Sequence, residues 1–161
     1  MCALKKVKAE LMMPLVKDIL KSGGSTRITV TGMSMVPFLR ENIDSVELSP
    51  ISFEMISLGD IVMVLRDTGE YVLHRVLRKE KDCFFMIGDA QHWIEGPLRP
   101  DQLVAGVTAV CRRNTRIDCS ATAWRLLSML WIYMLPLRIS SFKLRSFLHR
   151  KLFTAARRHS G

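Results

Sequence analysis

The sequence predicts a mainly β fold, a compact antiparallel domain with one helix before it and one after it. Three observations lead there. Short runs rich in β-branched and aromatic residues follow one another from Thr26 to Asp118, with turn signals between them. No strand alternates with a helical pattern, so a parallel, doubly wound sheet is disfavoured. A length of 161 residues, 48% hydrophobic and 24% charged, suits a single globular domain with a real core.

Residues 1–24 read as an amphipathic helix. Leu4, Val7, Leu11, Met12, Leu15, Val16, Ile19 and Leu20 recur at three- and four-residue intervals with lysines between them. Pro14 predicts a kink or a break, and Ser22-Gly23-Gly24-Ser25 ends the helix. The segment lacks the apolar core of a signal peptide and is too polar to span a bilayer. Residues 25–118 form the β domain, with strands expected at Arg27–Thr31, Ser45–Leu48, Asp60–Leu65, Tyr71–Leu77, Phe84–Ile87 and Val104–Arg112. Turns are expected at Asp67-Thr68-Gly69, Lys81-Asp82 and Gly96-Pro97. Residues 119–161 form a basic, amphipathic helical tail. Its apolar stretch Leu126–Leu137 is 12 residues long, short of the roughly 20 that a spanning helix needs. Beyond it, Phe142–Arg158 interleaves Phe and Leu with Lys and Arg.

The formal charge of +9 is concentrated at one end. Residues 1–118 hold 16 Lys/Arg against 15 Asp/Glu, whereas residues 119–161 hold 8 Lys/Arg and no acid. A basic tail interleaved with Phe, Leu, Trp and Met suits an anionic lipid surface better than phosphate alone. Trp124, Trp131 and Tyr133 would then sit at headgroup level. The four cysteines, Cys2, Cys83, Cys111 and Cys119, form no CxxC pair, so neither a zinc site nor a disulfide framework is expected. Cys83 and Cys111 lie in apolar runs and read as small core residues. The four histidines are too scattered to argue a metal.

The stretch that points to chemistry is Thr29-Val-Thr-Gly-Met-Ser-Met-Val-Pro-Phe-Leu39. Gly32 lets the chain turn sharply after a strand and present the hydroxyl of Ser34, while Pro37 stiffens the chain beyond it. A serine hydroxyl needs a neighbouring base to become a nucleophile. Inside Tyr71–Leu77, His74 shares one strand face with Val72, and Leu73 shares the other with Arg75. An imidazole accepts and returns protons near neutrality. Asp89, closing the apolar strand Met86-Ile-Gly-Asp, is a carboxylate able to hold that imidazole in one tautomer. Each of these residues also has an ordinary use: Ser34 in a turn, His74 as a half-buried hydrogen-bonded side chain, Asp89 as a cap. His92-Trp93, just beyond, reads equally as a groove lining or a surface turn.

In order, Gly32-Met-Ser-Met-Val-Pro37, Leu58-Gly-Asp-Ile-Val-Met63, His74-Arg-Val76, Gly88-Asp-Ala90 and Val104-Ala-Gly-Val107 resemble the boxes of the signal peptidase I family, whose β fold is shared with self-cleaving repressor peptidases. The resemblance runs from about Arg27 to Arg113 and is of the histidine type. It implies a serine endopeptidase with Ser34 as nucleophile, His74 as general base and Asp89 as its orienting acid. It also implies an extended precursor peptide as substrate, with small residues before the cut, and neither a cofactor nor a metal. Glu95 stands near the place where such enzymes carry a second acid. Gly32 takes the place of a serine that donates to the oxyanion in typical members. The oxyanion hole would then rest on the backbone of Gly32 and Ser34, chiefly the Ser34 N–H. The expected location is peripheral on a membrane through residues 119–161, with a cytoplasmic protein as the alternative. Two other functions compete: a self-cleaving repressor-type regulator, and a non-catalytic peptide- or nucleic-acid-binding module. Residues 1–24 are too short for the helix-turn-helix that the first of these needs.

Overall fold

A computed structural model describes residues 9–137. Helix α1 (Ala9–Lys21) leads into β1 (Thr26–Thr29) and β2 (Asp44–Ser49). A 3-10 turn at Phe53–Met55 precedes β3 (Ile61–Leu65), β4 (Tyr71–Lys79), β5 (Phe84–Ile87) and β6 (Glu95–Leu98). A second 3-10 turn (Pro100–Gln102) precedes the long β7 (Leu103–Arg112), then β8 (Thr115–Asp118) and α2 (Thr122–Tyr133). The eight strands form one antiparallel sheet in the order β1-β2-β7-β3-β4-β5-β6, with β8 also paired to β7. The mainly β, antiparallel class read from the sequence is the fold observed.

Period-two alternation gives this sheet two apolar faces. Along β3, Ile61 and Met63 enter one core cluster while Val62 and Val64 enter the other. The first cluster is closed by Met13, Val16 and Leu20 of α1 and by Met35 and Leu39 from the segment after β1. The second is closed by Ile56 and by Phe84, Met86 and Leu98 of the outer strands. Helix α1 runs unbroken through Pro14, where a kink or break was expected. Pro14 is exposed, so the one missing backbone bond lies off the buried stripe. The helix ends in a glycine cap: Gly23 has φ +80°, and the N–H groups of Gly23 and Gly24 bond to the carbonyls of Leu20 and Ile19.

Two strands lie outside the expected set. Gly96-Pro97, expected as a turn, sits inside β6. An edge strand tolerates a proline because one row of its backbone groups is unpaired anyway. Gly96, at φ +139°, presses against Phe85 where a Cβ would stand 2.7 Å from the ring. The polar β8, with Ile117 as its one apolar residue, returns on β7 through Arg113 at φ +54°.

Helix α2 lies against the domain. Trp124 and Trp131 each place their rings 5.5 Å from that of Phe38, and Ser128 and Leu135 are buried. The two tryptophans, expected at a lipid headgroup level, are thus turned inward by an aromatic partner on the body, while Tyr133 is exposed. Among the described residues, no helix is long and apolar enough to cross a membrane. The helical expectations for residues 1–8 and for Phe142–Arg158 lie outside the described residues.

Candidate active site

The segment after β1 carries Ser34. Gly32 has φ +87°, a backbone state that L side chains rarely adopt, and its N–H donates to Glu41 Oε1 at 3.1 Å. Met35, Phe38 and Leu39 are buried and pin the segment to the sheet, leaving Met33 exposed and Ser34 half-buried. The Ser34 carbonyl accepts a hydrogen bond from the Ala90 N–H at 2.8 Å, just past the end of β5. This docking needs a glycine beneath it, because a Cβ on Gly88 would stand 2.7 Å from the same Ser34 oxygen. Gly88→Ala should therefore displace the Ser34 backbone and destabilise the fold by about 1–3 kcal/mol, the usual range for overpacking. A chemical-denaturation midpoint equal to that of the parent protein would show that the contact relaxes without consequence.

His74 stands on β4, one residue before Arg75, which pairs in register with Ile87 of β5. One step along that ladder sets His74 opposite Gly88, whose backbone lies close to the Ser34 carbonyl. The imidazole is buried, and its Nδ1 lies 3.1 Å from Glu95 Oε2 on β6. Glu95 in turn receives both Nε and Nη2 of Arg66. Burial raises the Glu95 carboxyl, but Arg66 and His74 outweigh it and hold the group below its usual range, hence ionised. An ionised carboxylate only accepts, so Nδ1 carries the proton and Nε2 carries the lone pair. That is the tautomer a general base needs. Burial lowers the His74 pKa from 6.5, with Glu95 opposing. The unfolded chain then takes up a proton more readily than the folded one. Stability from neutral His74 is fully present above about pH 6.5 and is lost as the pH falls through the lower folded-state value.

Asp89, expected to orient His74, is seated against Arg75. Its two oxygens receive Arg75 Nε at 2.8 Å and Nη2 at 2.7 Å, and both side chains are buried. Arg75 Nη1 donates to the Gly59 carbonyl and to Ser128 Oγ of α2, each at 2.8 Å, and its guanidinium lies 4.4 Å from the centre of the Phe38 ring. The carboxylate hydrogen-bonded to the imidazole is that of Glu95, while the charge of Asp89 acts on His74 through space. Asp89 thus fixes the loop whose next residue holds Ser34.

Among the described residues, no hydrogen bond joins Ser34 Oγ to His74, whose Nδ1 is paired with Glu95. Among the described residues the Ser34 N–H has no hydrogen-bond partner, while that of Gly32 is taken by Glu41. His92 and Trp93 are exposed on the β5–β6 connection and meet edge to face at 5.1 Å. Cys111 is buried, and Cys83 is half-buried with its thiol 3.7 Å from Glu80. Among the described residues no group of three or more His, Cys, Asp or Glu is arranged to hold a metal. Arg66, Arg75 and Ser128 were not singled out from the sequence. An arginine between buried residues near the middle of a strand was the available signal for Arg75, since a buried guanidinium demands a carboxylate. Comparison of the chain with protein-family models, with curated proteins and with solved structures finds no match.

Proposed function

We propose that the protein is a serine endopeptidase of the signal-peptidase type, cleaving a signal or leader peptide from a precursor. The observation that carries the reading is the part-buried chain Arg66–Glu95–His74, which leaves a neutral imidazole in the base tautomer. In the proposed reaction His74 Nε2 takes the proton of Ser34 Oγ as that oxygen bonds to the scissile carbonyl carbon. The Ser34 N–H donates to the resulting oxyanion, and Glu95 stabilises the imidazolium. His74 then protonates the departing amine, leaving an acyl-Ser34. Water, losing its proton to His74, attacks the acyl carbon and frees the serine. By the family resemblance, the peptide binds extended with small residues before the cut, a shape that pairs readily with a strand.

A panel of extended peptides bearing Ala or Gly before the scissile bond tests this. Mass spectrometry should find cutting after a small residue, at a rate that declines as the pH drops and His74 protonates. The midpoint of that decline should lie below about 6.5, because burial lowers the imidazole pKa. Glu95→Gln removes a charge that favours the imidazolium. It should cut kcat by about 10²-fold or more and move the acid limb to still lower pH. A native protein that cleaves nothing in the panel overturns the reading. A Glu95→Gln profile superimposable on the native one removes Glu95 from it.

A further inference from the structure

We propose that the outward face of α2 docks on an anionic lipid surface, with the helix lying in the interface rather than across it. The helix is apolar nearly all round, with Arg125 as its one charged residue. A helix of that kind is ordinarily buried on every side. Here the domain covers one stripe only: Trp124, Ser128, Trp131 and Leu135, spaced four, three and four apart, meet Phe38, Arg75 and the core. Two residues round from that stripe, or about 200°, runs its counterpart Leu126, Leu130, Tyr133 and Leu137. These four are 66%, 57%, 75% and 70% exposed, and Leu127 and Met134 widen the band. The body has thus used half of an apolar helix and left the other half facing water.

Charge decides between the occupants. Residues 138–161 contain seven Lys/Arg and no Asp or Glu. A second copy of the chain would bring two such segments together and repel itself. A nucleic acid would satisfy the charge but leave the leucines in water. A bilayer interface containing anionic lipid takes both, the apolar band entering the acyl boundary and the cations meeting the headgroups. Twelve helical residues extend about 18 Å against a hydrocarbon core of about 30 Å, so the helix lies flat. The inference does not depend on peptidase activity, because its readout is binding.

The full-length protein is sedimented with vesicles of phosphatidylcholine alone and of phosphatidylcholine mixed with phosphatidylserine, at low and high salt, beside Leu127→Glu/Leu130→Glu. The native protein should bind the anionic vesicles, lose most of that binding at high salt and be released by alkaline carbonate. The double variant should bind at least about tenfold more weakly with an unchanged thermal midpoint, since both positions face water. No binding to either vesicle overturns the proposal, as does binding that the two glutamates leave intact. Resistance to carbonate would mean a span. A variant that loses several degrees of thermal stability without lipid would mean that the chain covers its own face. A dimer broken by the glutamates would give the face to a second copy.

Discussion

Ser34→Ala should abolish peptide-bond cleavage and leave the fold in place. In the proposed mechanism Ser34 Oγ is the atom that forms the acyl bond, so no other group in the site replaces it. Loss of a nucleophile that works as a unit with its base costs several orders of magnitude, here about 10⁴–10⁶-fold in kcat. That corresponds to ~5–8 kcal/mol of lost transition-state stabilisation. The structural cost should be small, because the contact that seats this residue is made by its backbone carbonyl to Ala90, which alanine keeps. A change in unfolding free energy within about 0.5 kcal/mol is the expectation for such a half-buried side chain. Cleavage of added peptide in trans would also separate the proposed peptidase from a self-cleaving regulator, whose rate is independent of protein concentration. If the alanine variant processes the peptide as fast as the parent, the serine is structural and the peptidase reading ends.

What the sequence made legible divides along physical lines. Strands such as Ile61–Leu65 and Phe84–Ile87 were visible because both sheet faces bury them, which turns them into apolar runs with polar punctuation. β6 was hidden because Gly96 and Pro97 are turn residues everywhere except on an edge or a bulge, and this strand is an edge. β8 was hidden for a different reason: Thr115-Arg-Ile-Asp118 is held by its backbone ladder to β7, not by an apolar pattern. The site shows the same limit. That Ser34 and His74 have the chemistry of a nucleophile and a base came from residue type. Which carboxylate touches the imidazole did not, because it depends on the register that sets Glu95 against Met86 across two strands. Asp89 was nearer in the family resemblance, but it is claimed by a guanidinium on the opposite face of β4 from His74. Period-two alternation puts His74 and Arg75 on different faces, and here each is hydrogen-bonded to its own carboxylate.

That ion pair is where the largest loss of stability should appear. Asp89→Ala would leave the Arg75 guanidinium, 0% exposed, without its counterion, and an uncompensated buried charge costs about 3–5 kcal/mol. At roughly 2–4 °C per kcal/mol for a domain of this size, the thermal midpoint should fall by about 6–20 °C. The same substitution frees the loop that bonds to Ser34, so peptidase activity should decline at temperatures where the variant is still folded. Arg75→Met in the same chain removes the stranded charge, and buried pairs replaced by apolar groups are often close to neutral. Recovery should nevertheless be partial. Arg75 Nη1 also serves the Gly59 carbonyl and Ser128 Oγ, and a buried polar group left without a partner costs about 1–3 kcal/mol. The expected double-mutant cycle therefore shows a coupling of about 2 kcal/mol or more between positions 75 and 89, with the double variant more stable than Asp89→Ala alone. Strictly additive losses would mean that each side chain is held by other groups. The link from α2 through Arg75 and Asp89 to the Ser34 segment would then carry no energy.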